Sequence, residues 1–228
     1  MKLNEFLIVN CFTDSQVVEV ECSTTDYGKI NLSATSTELA KIDVSSSKAL
    51  EQFIDSWKQK GAIKVPYGGY LEKRAIYQRS TYFNEQVDKA DERNIHLGID
   101  LWLEEGTTVY SALDGKIHSF KNNLNHGDYG PTIIIEHKIS EIKFYTLYGH
   151  LSIASLENLF VGKEVNKGEI IGQLGGPDVN GDYPPHLHFQ IILDLQNNFG
   201  DYPGVCSSNE LSFYKQNCPD PNLILGLD

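Results

Sequence analysis

The chain has little positive charge. Its 19 Lys and Arg stand against 31 Asp and Glu, a net charge of −12 over 228 residues. Nucleic-acid binding needs a basic surface to neutralise phosphates, and anionic membrane surfaces impose the same demand, so the charge argues against both partner classes and neither is expected. Long apolar runs are also lacking: no stretch approaches the roughly 18 residues of a membrane-spanning helix. The N-terminal "MKLNEFLIVNCFTDSQ" has one Lys and an apolar segment broken at Asn10, without the longer core and small-residue cleavage site of a secretory signal. On that ground a cytoplasmic location is expected, or a periplasmic or secreted one if a leader has been removed. The four cysteines, Cys11, Cys22, Cys206 and Cys218, form no C-x-x-C pair, which leaves zinc knuckles and thioredoxin-like motifs unsupported. Cys206 and Cys218 are close enough in sequence to be bridged, but free thiols are the expectation for a chain without a signal.

What is present divides into four segments. Residues 1–62 read as a small α/β appendage. "EFLIVNCF" and "QVVEVECS" are two strand-like runs, and "SSSKALEQFIDSWKQKG" is an amphipathic helix capped by serines and stopped at Gly61, with Leu50, Phe53, Ile54 and Trp57 on its core-facing side. Residues 63–92 read as a Gly- and Tyr-rich connector. From 93 to 194 short apolar runs alternate with Gly, Asp and Asn clusters, the pattern of a compact antiparallel β-sandwich or barrel. Within it "EGTTVYSALDGKI" and "VGKEVNKGEIIGQLG" share a turn–strand–turn–strand rhythm. Residues 195–228, with "DYPGV" and "CPDPN", read as an irregular, Pro-rich extension that wraps the sandwich.

Chemistry concentrates in the β-rich segment. In "PHLHFQI" His186 and His188 are two apart, so on a strand they share a face and can converge on one metal, or one can bind while the other handles protons; two half-buried structural imidazoles are the competing reading. "HLGID" adds His96 and Asp100, and "YGHLS" adds His150 at a strand end. Two imidazoles and one carboxylate suit a borderline divalent ion with a position left open. The same donor set occurs in non-haem Fe(II) oxygenases and cupin-like proteins, although there the usual His and Asp are two residues apart, not four.

Taken in this order and spacing, "HLGID", "YGHLS", "VNKGEIIGQLG" and "PHLHFQI" resemble the lysostaphin/LytM-type zinc metalloendopeptidases over about residues 93–193. The resemblance implies a mainly β fold, a Zn2+ cofactor held by His96, Asp100 and His188, His186 as general base, and His150 as a second catalytic histidine that donates to the oxyanion. His150 and His186 can each serve as the proton carrier. The implied reaction is hydrolysis of a peptide amide by a metal-activated water, on a peptide or cell-wall-derived substrate. The loop "GGPDVNGDYPP" departs from the Gly-rich, hydroxyl-bearing loop usual in the family: Asp178 and Asp182 make it acidic, which argues against a glycine-bridge substrate. A fainter resemblance links the tail to peptidase-like domains fused to class III aminotransferases. A non-hydrolysing binding or regulatory domain on the same fold is the alternative, and the complete ligand set stands against it. His137 is expected to be structural, His118 and His126 solvated, Tyr145 and Tyr148 in the core or at the rim, and Trp102 beneath the ligand's face or in the core.

Overall fold

A computed structural model describes residues 15–20, 26–79 and 91–227. The strand expected in "EFLIVNCF", together with Cys11 and Cys22, lies outside the described residues. In chain order the strands are β1 (Tyr27–Lys29), β2 (Val65–Gly68), β3 (Ile95–His96), β4 (Ile99–Trp102), β5 (Thr108–Tyr110) and β6 (Gly115–Asn123), then β7 (Gly130–Ile139), β8 (Ile142–Gly149), β9 (Glu164–Val165), β10 (Ile170–Gln173), β11 (His186–Ile192) and β12 (Val205–Cys206). The helices of α type are α1 (Ser47–Gly61), α2 (Leu211–Asn217) and α3 (Asn222–Leu225).

The molecule is mainly β, as expected. One eight-stranded sheet runs β1-β2-β4-β11-β8-β7-β6-β9, accompanied by the pairs β5–β10 and β3–β12. The long central strands alternate. Ile133, Ile135, Leu187, Phe189 and Ile191 point into one core layer, while Ile134, Leu147 and Ile192 point into a second. This is the period of two expected of strands buried on both faces. The internal rhythm noted in the sequence corresponds to physical neighbours, since β5 pairs antiparallel with β10 and β6 with β9.

Three segments differ from the sequence reading. The chain around 65–74, read as a connector, is structural: β2 pairs with β4, and residues 71–74 run alongside β3 through bonds such as Leu71 N–H to His96 O (2.9 Å) and His96 N–H to Glu72 O (3.0 Å). Short apolar "VPYG" is a strand because both its neighbours in the sheet supply partners, which local composition does not reveal. The tail, read as irregular, contains β12, α2 and α3. The expected strand "QVVEVECS" amounts, among its described residues, to a single bridge from Val18 to Val109.

Helix α1 forms as its pattern predicts. Ser46 Oγ accepts from Ala49 N–H (3.3 Å) at the N-terminus. Gly61 is the last helical residue rather than the stop, and Ala62 takes the left-handed conformation behind it (φ 50°). Leu50 and Ile54 are buried with Ile30, Leu32, Leu39 and Trp102, so the helix shares a core with β4.

Candidate metal centre

Register builds the centre. His188 on β11 lies opposite Asp100 on β4 and Gly149 on β8, while His186 lies opposite Trp102. His96 ends β3, three residues before β4 begins. Gly98 lies between them, where a Cβ would stand 2.6 Å from the His188 ring. The two strands can therefore bring their imidazoles together only with hydrogen at that position.

His96, Asp100 and His188 converge. His96 Nε2 is 2.9 Å from His188 Nδ1 and 3.2 Å from Asp100 Oδ1, and His188 Nδ1 is 3.1 Å from Asp100 Oδ1. All three residues are buried. Their outer partners fix which atoms face inward. His96 Nδ1–H donates to the Gly69 carbonyl (3.1 Å), and His188 Nε2–H donates to Gln190 Oε1 (2.9 Å), whose amide nitrogen is committed to Pro203 O (3.2 Å). Asp100 Oδ2 accepts from Arg74 Nη1 (2.5 Å). With the outer hydrogens so placed, one ring nitrogen of each imidazole and one carboxylate oxygen face one another as acceptors in a buried space. Acceptors so arranged call for a cation. Ligand atoms on a tetrahedral zinc at its usual bond lengths lie about 3.3 Å apart, close to the separations here.

Arg74 is buried and multiply held. Its Nε donates to Glu72 Oε2 (2.7 Å), and its guanidinium lies 5.7 Å from the Trp102 ring centre. Burial works against ionisation of Asp100, but His96, Arg74 and His186 around it hold its pKa well below the ordinary carboxylate value. Burial, reinforced by Arg74, lowers His96 to about 3.

His150 and His186 stand beside the ligands, ring centres 4.1 Å apart. Each has Nδ1 tied to a backbone carbonyl, His186 to Pro184 (2.8 Å) and His150 to Asn180 (2.8 Å). A carbonyl only accepts, so Nδ1 carries the hydrogen and Nε2 is an acceptor in both neutral rings. Burial lowers the pKa of both. His150 has φ 63°, a left-handed backbone held by its N–H to Tyr129 O and its carbonyl to Gly175 N–H. The loop ahead of β11 is stapled by Asn180, whose side chain bonds Gly175 O, Tyr183 O and Tyr183 N–H. Asp182 accepts from Ser47 Oγ at the start of α1 (2.8 Å), whereas Asp178 is exposed.

Residues 94–198 match the family model described as Peptidase family M23. The match covers just under half of the chain. A curated relative, the DD-carboxypeptidase/endopeptidase Mpg of Neisseria meningitidis serogroup B, is 35 % identical over 138 residues, covering 60 % of this chain and 29 % of the relative. The peptidoglycan DD-endopeptidase ShyA of Vibrio cholerae is 32 % identical over 99 residues, covering 43 % and 20 %. The chain thus spans under a third of the length of these curated relatives. Among solved structures, the catalytic domain of the antimicrobial peptidase lysostaphin from Staphylococcus simulans is 29 % identical, covering 54 % of this chain and 80 % of that one, with a TM-score of 0.38.

The structure brings together the five residues the sequence singled out, His96, Asp100, His150, His186 and His188. Sequence reading missed Gly69, Arg74 and Gln190, which bond the three convergent side chains from outside. Gln190 had a signal, being two residues beyond His188 on the same strand face. Gly69 and Arg74 had none, because they precede the M23 match and reach the centre only through the pairing of residues 69–74 with β3. The bland readings divide. His137 is buried between Asp114 O and Thr146 Oγ1 (2.8 and 2.7 Å). His118, expected to be solvated, is half-buried, with its ring against Tyr145 and Phe199. Tyr148 is a core residue. The Trp102 ring lies nearly parallel to His186, 5.9 Å away. Cys206 and Cys218 are both buried free thiols.

Proposed function

We propose that the protein is a zinc-dependent peptidase that hydrolyses an amide bond in a peptide, of the kind found in peptidoglycan. The observation that carries this reading is the convergence of His96 Nε2, His188 Nδ1 and Asp100 Oδ1 beside the imidazoles of His150 and His186. His96, Asp100 and His188 would hold the ion. When bound there, zinc supplies a Lewis acid and lowers the pKa of its water toward neutrality. The M23 match and the peptidoglycan-acting relatives support the substrate class.

The protein's own residues then divide the work. In their neutral forms neither His186 nor His150 can donate through Nε2, because each Nδ1–H is occupied by a carbonyl. Whichever ring takes the proton from the attacking water becomes an imidazolium and only then can donate, either to the developing oxyanion or to the leaving amine. His186 is the general base in this reading, as its Nε2 lies 3.9 Å from Asp100 Oδ1 on the ligand side. Pro184 and Asn180 keep both rings in the working tautomer without a flexible partner.

The test combines metal analysis with turnover. Chelated protein regains hydrolysis of peptidoglycan-derived peptides on addition of Zn2+, and His186→Ala and His150→Ala each lower kcat by two or more orders of magnitude while the protein stays folded and zinc-loaded. A folded protein that never retains zinc would overturn the reading.

A further inference from the structure

Glu72 bonds the supports of the metal centre, although it lies well before the M23 match, which begins at residue 94. Its backbone carbonyl accepts from His96 N–H, and its Oε2 accepts from Nε of Arg74, the residue that holds Asp100. Its second carboxylate oxygen, Oε1, accepts from Leu32 N–H (3.0 Å). Leu32 belongs to the N-terminal α/β segment, which is laid along residues 67–73 by alternate amides. Ile30 N–H donates to Tyr67 O (3.0 Å) and Ala34 N–H to Lys73 O (2.8 Å), both backbone acceptors. The middle amide, Leu32 N–H, is taken by a side chain instead. The side chain of Leu32 in turn lines the cavity over the histidines, as Arg74 does.

We propose that Glu72 is a positioning residue that couples the docking of the N-terminal segment to the geometry of the metal centre, acting through Arg74. The coupling rests on the zinc reading of His96, Asp100 and His188 and is independent of turnover. Besides Asp100 and Glu72, Arg74 reaches Tyr77 Oη and Gly68 O, at 3.4 Å each. The contact to Glu72 is shorter (2.7 Å) and joins two charges, so it holds the plane of the guanidinium more firmly than those two. In that plane Nη1 is presented to Asp100 Oδ2, and Asp100 Oδ1 is left facing the imidazoles. A carboxylate serves Leu32 N–H and Arg74 Nε–H together because each of its oxygens accepts. Glutamine has one oxygen and one NH2 group, so one of these two donors must then face another donor. Water offers little relief, since the side chains of Glu72 and Arg74 are 13 % and 5 % exposed.

The deciding experiment uses the full chain with Zn2+, and with Co2+ as a spectroscopic reporter of ligand geometry. Glu72→Gln is expected to weaken zinc binding by about tenfold in competition with a chromophoric chelator. It also shifts the visible bands of the cobalt-loaded protein, which a loss of stability alone would not move. The double variant Glu72→Gln/Arg74→Met loses no more affinity than Arg74→Met, because the two residues act in series. Coupling is reciprocal, so metal loading slows hydrogen exchange of the Leu32 amide more than that of Ile30 and Ala34, as followed by NMR. Circular dichroism verifies folding. Unchanged affinity and bands in Glu72→Gln, or additive losses in the double variant, overturn the coupling and leave the zinc reading standing. If Glu72→Gln does not fold, the parent decides: equal slowing of the three amides overturns the coupling. A parent chain that binds neither ion overturns the zinc reading and the coupling with it.

Discussion

Arg74 lies directly behind the three converging side chains, bonded to Asp100. It engages Asp100 and Glu72 with separate nitrogens, a fork that a lysine ammonium cannot reproduce. Replacing an outer partner of this kind typically costs 10–100-fold in metal affinity. Arg74→Met is therefore expected to weaken zinc binding by about 10–100-fold, measured by competition with a chromophoric chelator, and Arg74→Lys to recover only part of that loss. Gly69 is constrained by the same contact. Its φ is +108°, and an added Cβ would meet Arg74 Nη2 at a distance no side chain tolerates, as well as the His96 ring. Gly69→Ala should displace both outer partners together and lower zinc affinity at least as far as Arg74→Met, by the same assay.

Among the elements, α1 and β11 show what was legible and what was not. Serine caps and the spacing of Leu50, Ile54 and Trp57 announced α1, because a helix advertises its buried side locally. The two-residue spacing of His186 and His188 announced that both imidazoles share one face of β11, because alternation is equally local. What could not be read was the partner of each. That α1 shares a core with Trp102, and that β2 lies against β4, are facts of pairing between distant segments, and "VPYG" has no hydrophobic period of its own. The role of α1 can be separated from that of the metal ligands. Ile54→Ala empties a buried site in the shared core and should cost about 2–5 kcal/mol in urea unfolding. Zinc content at saturation should be unchanged, since Ile54 does not line the cavity over the centre.

At the scale of the whole molecule, buried histidines couple stability to pH. His137 is the clearest case, being remote from the metal centre and lowered by burial to about 4. In the unfolded chain it takes up a proton near its ordinary value of 6.5. The folded state binds fewer protons between these values, so His137 contributes fully above about pH 6.5, and the contribution is lost as pH falls toward 4. Urea unfolding at constant zinc should show stability falling through that window. His137→Asn should flatten the slope by up to one proton relative to the parent.

The sheet order also sets a sequence of events in time. Asp100 and His188 are neighbours across β4 and β11 yet 88 residues apart in the chain, and Arg74 precedes Asp100 by 26. During synthesis, which proceeds from the N-terminus, the Arg74–Asp100 pair can close long before His188 exists. Until β11 has been made and inserted between β4 and β8, the growing chain holds two of the three converging residues, His96 and Asp100. Loading is thereby tied to completion of the central sheet, so an ion held by all three ligands reports that the chain has been made through β11 and folded.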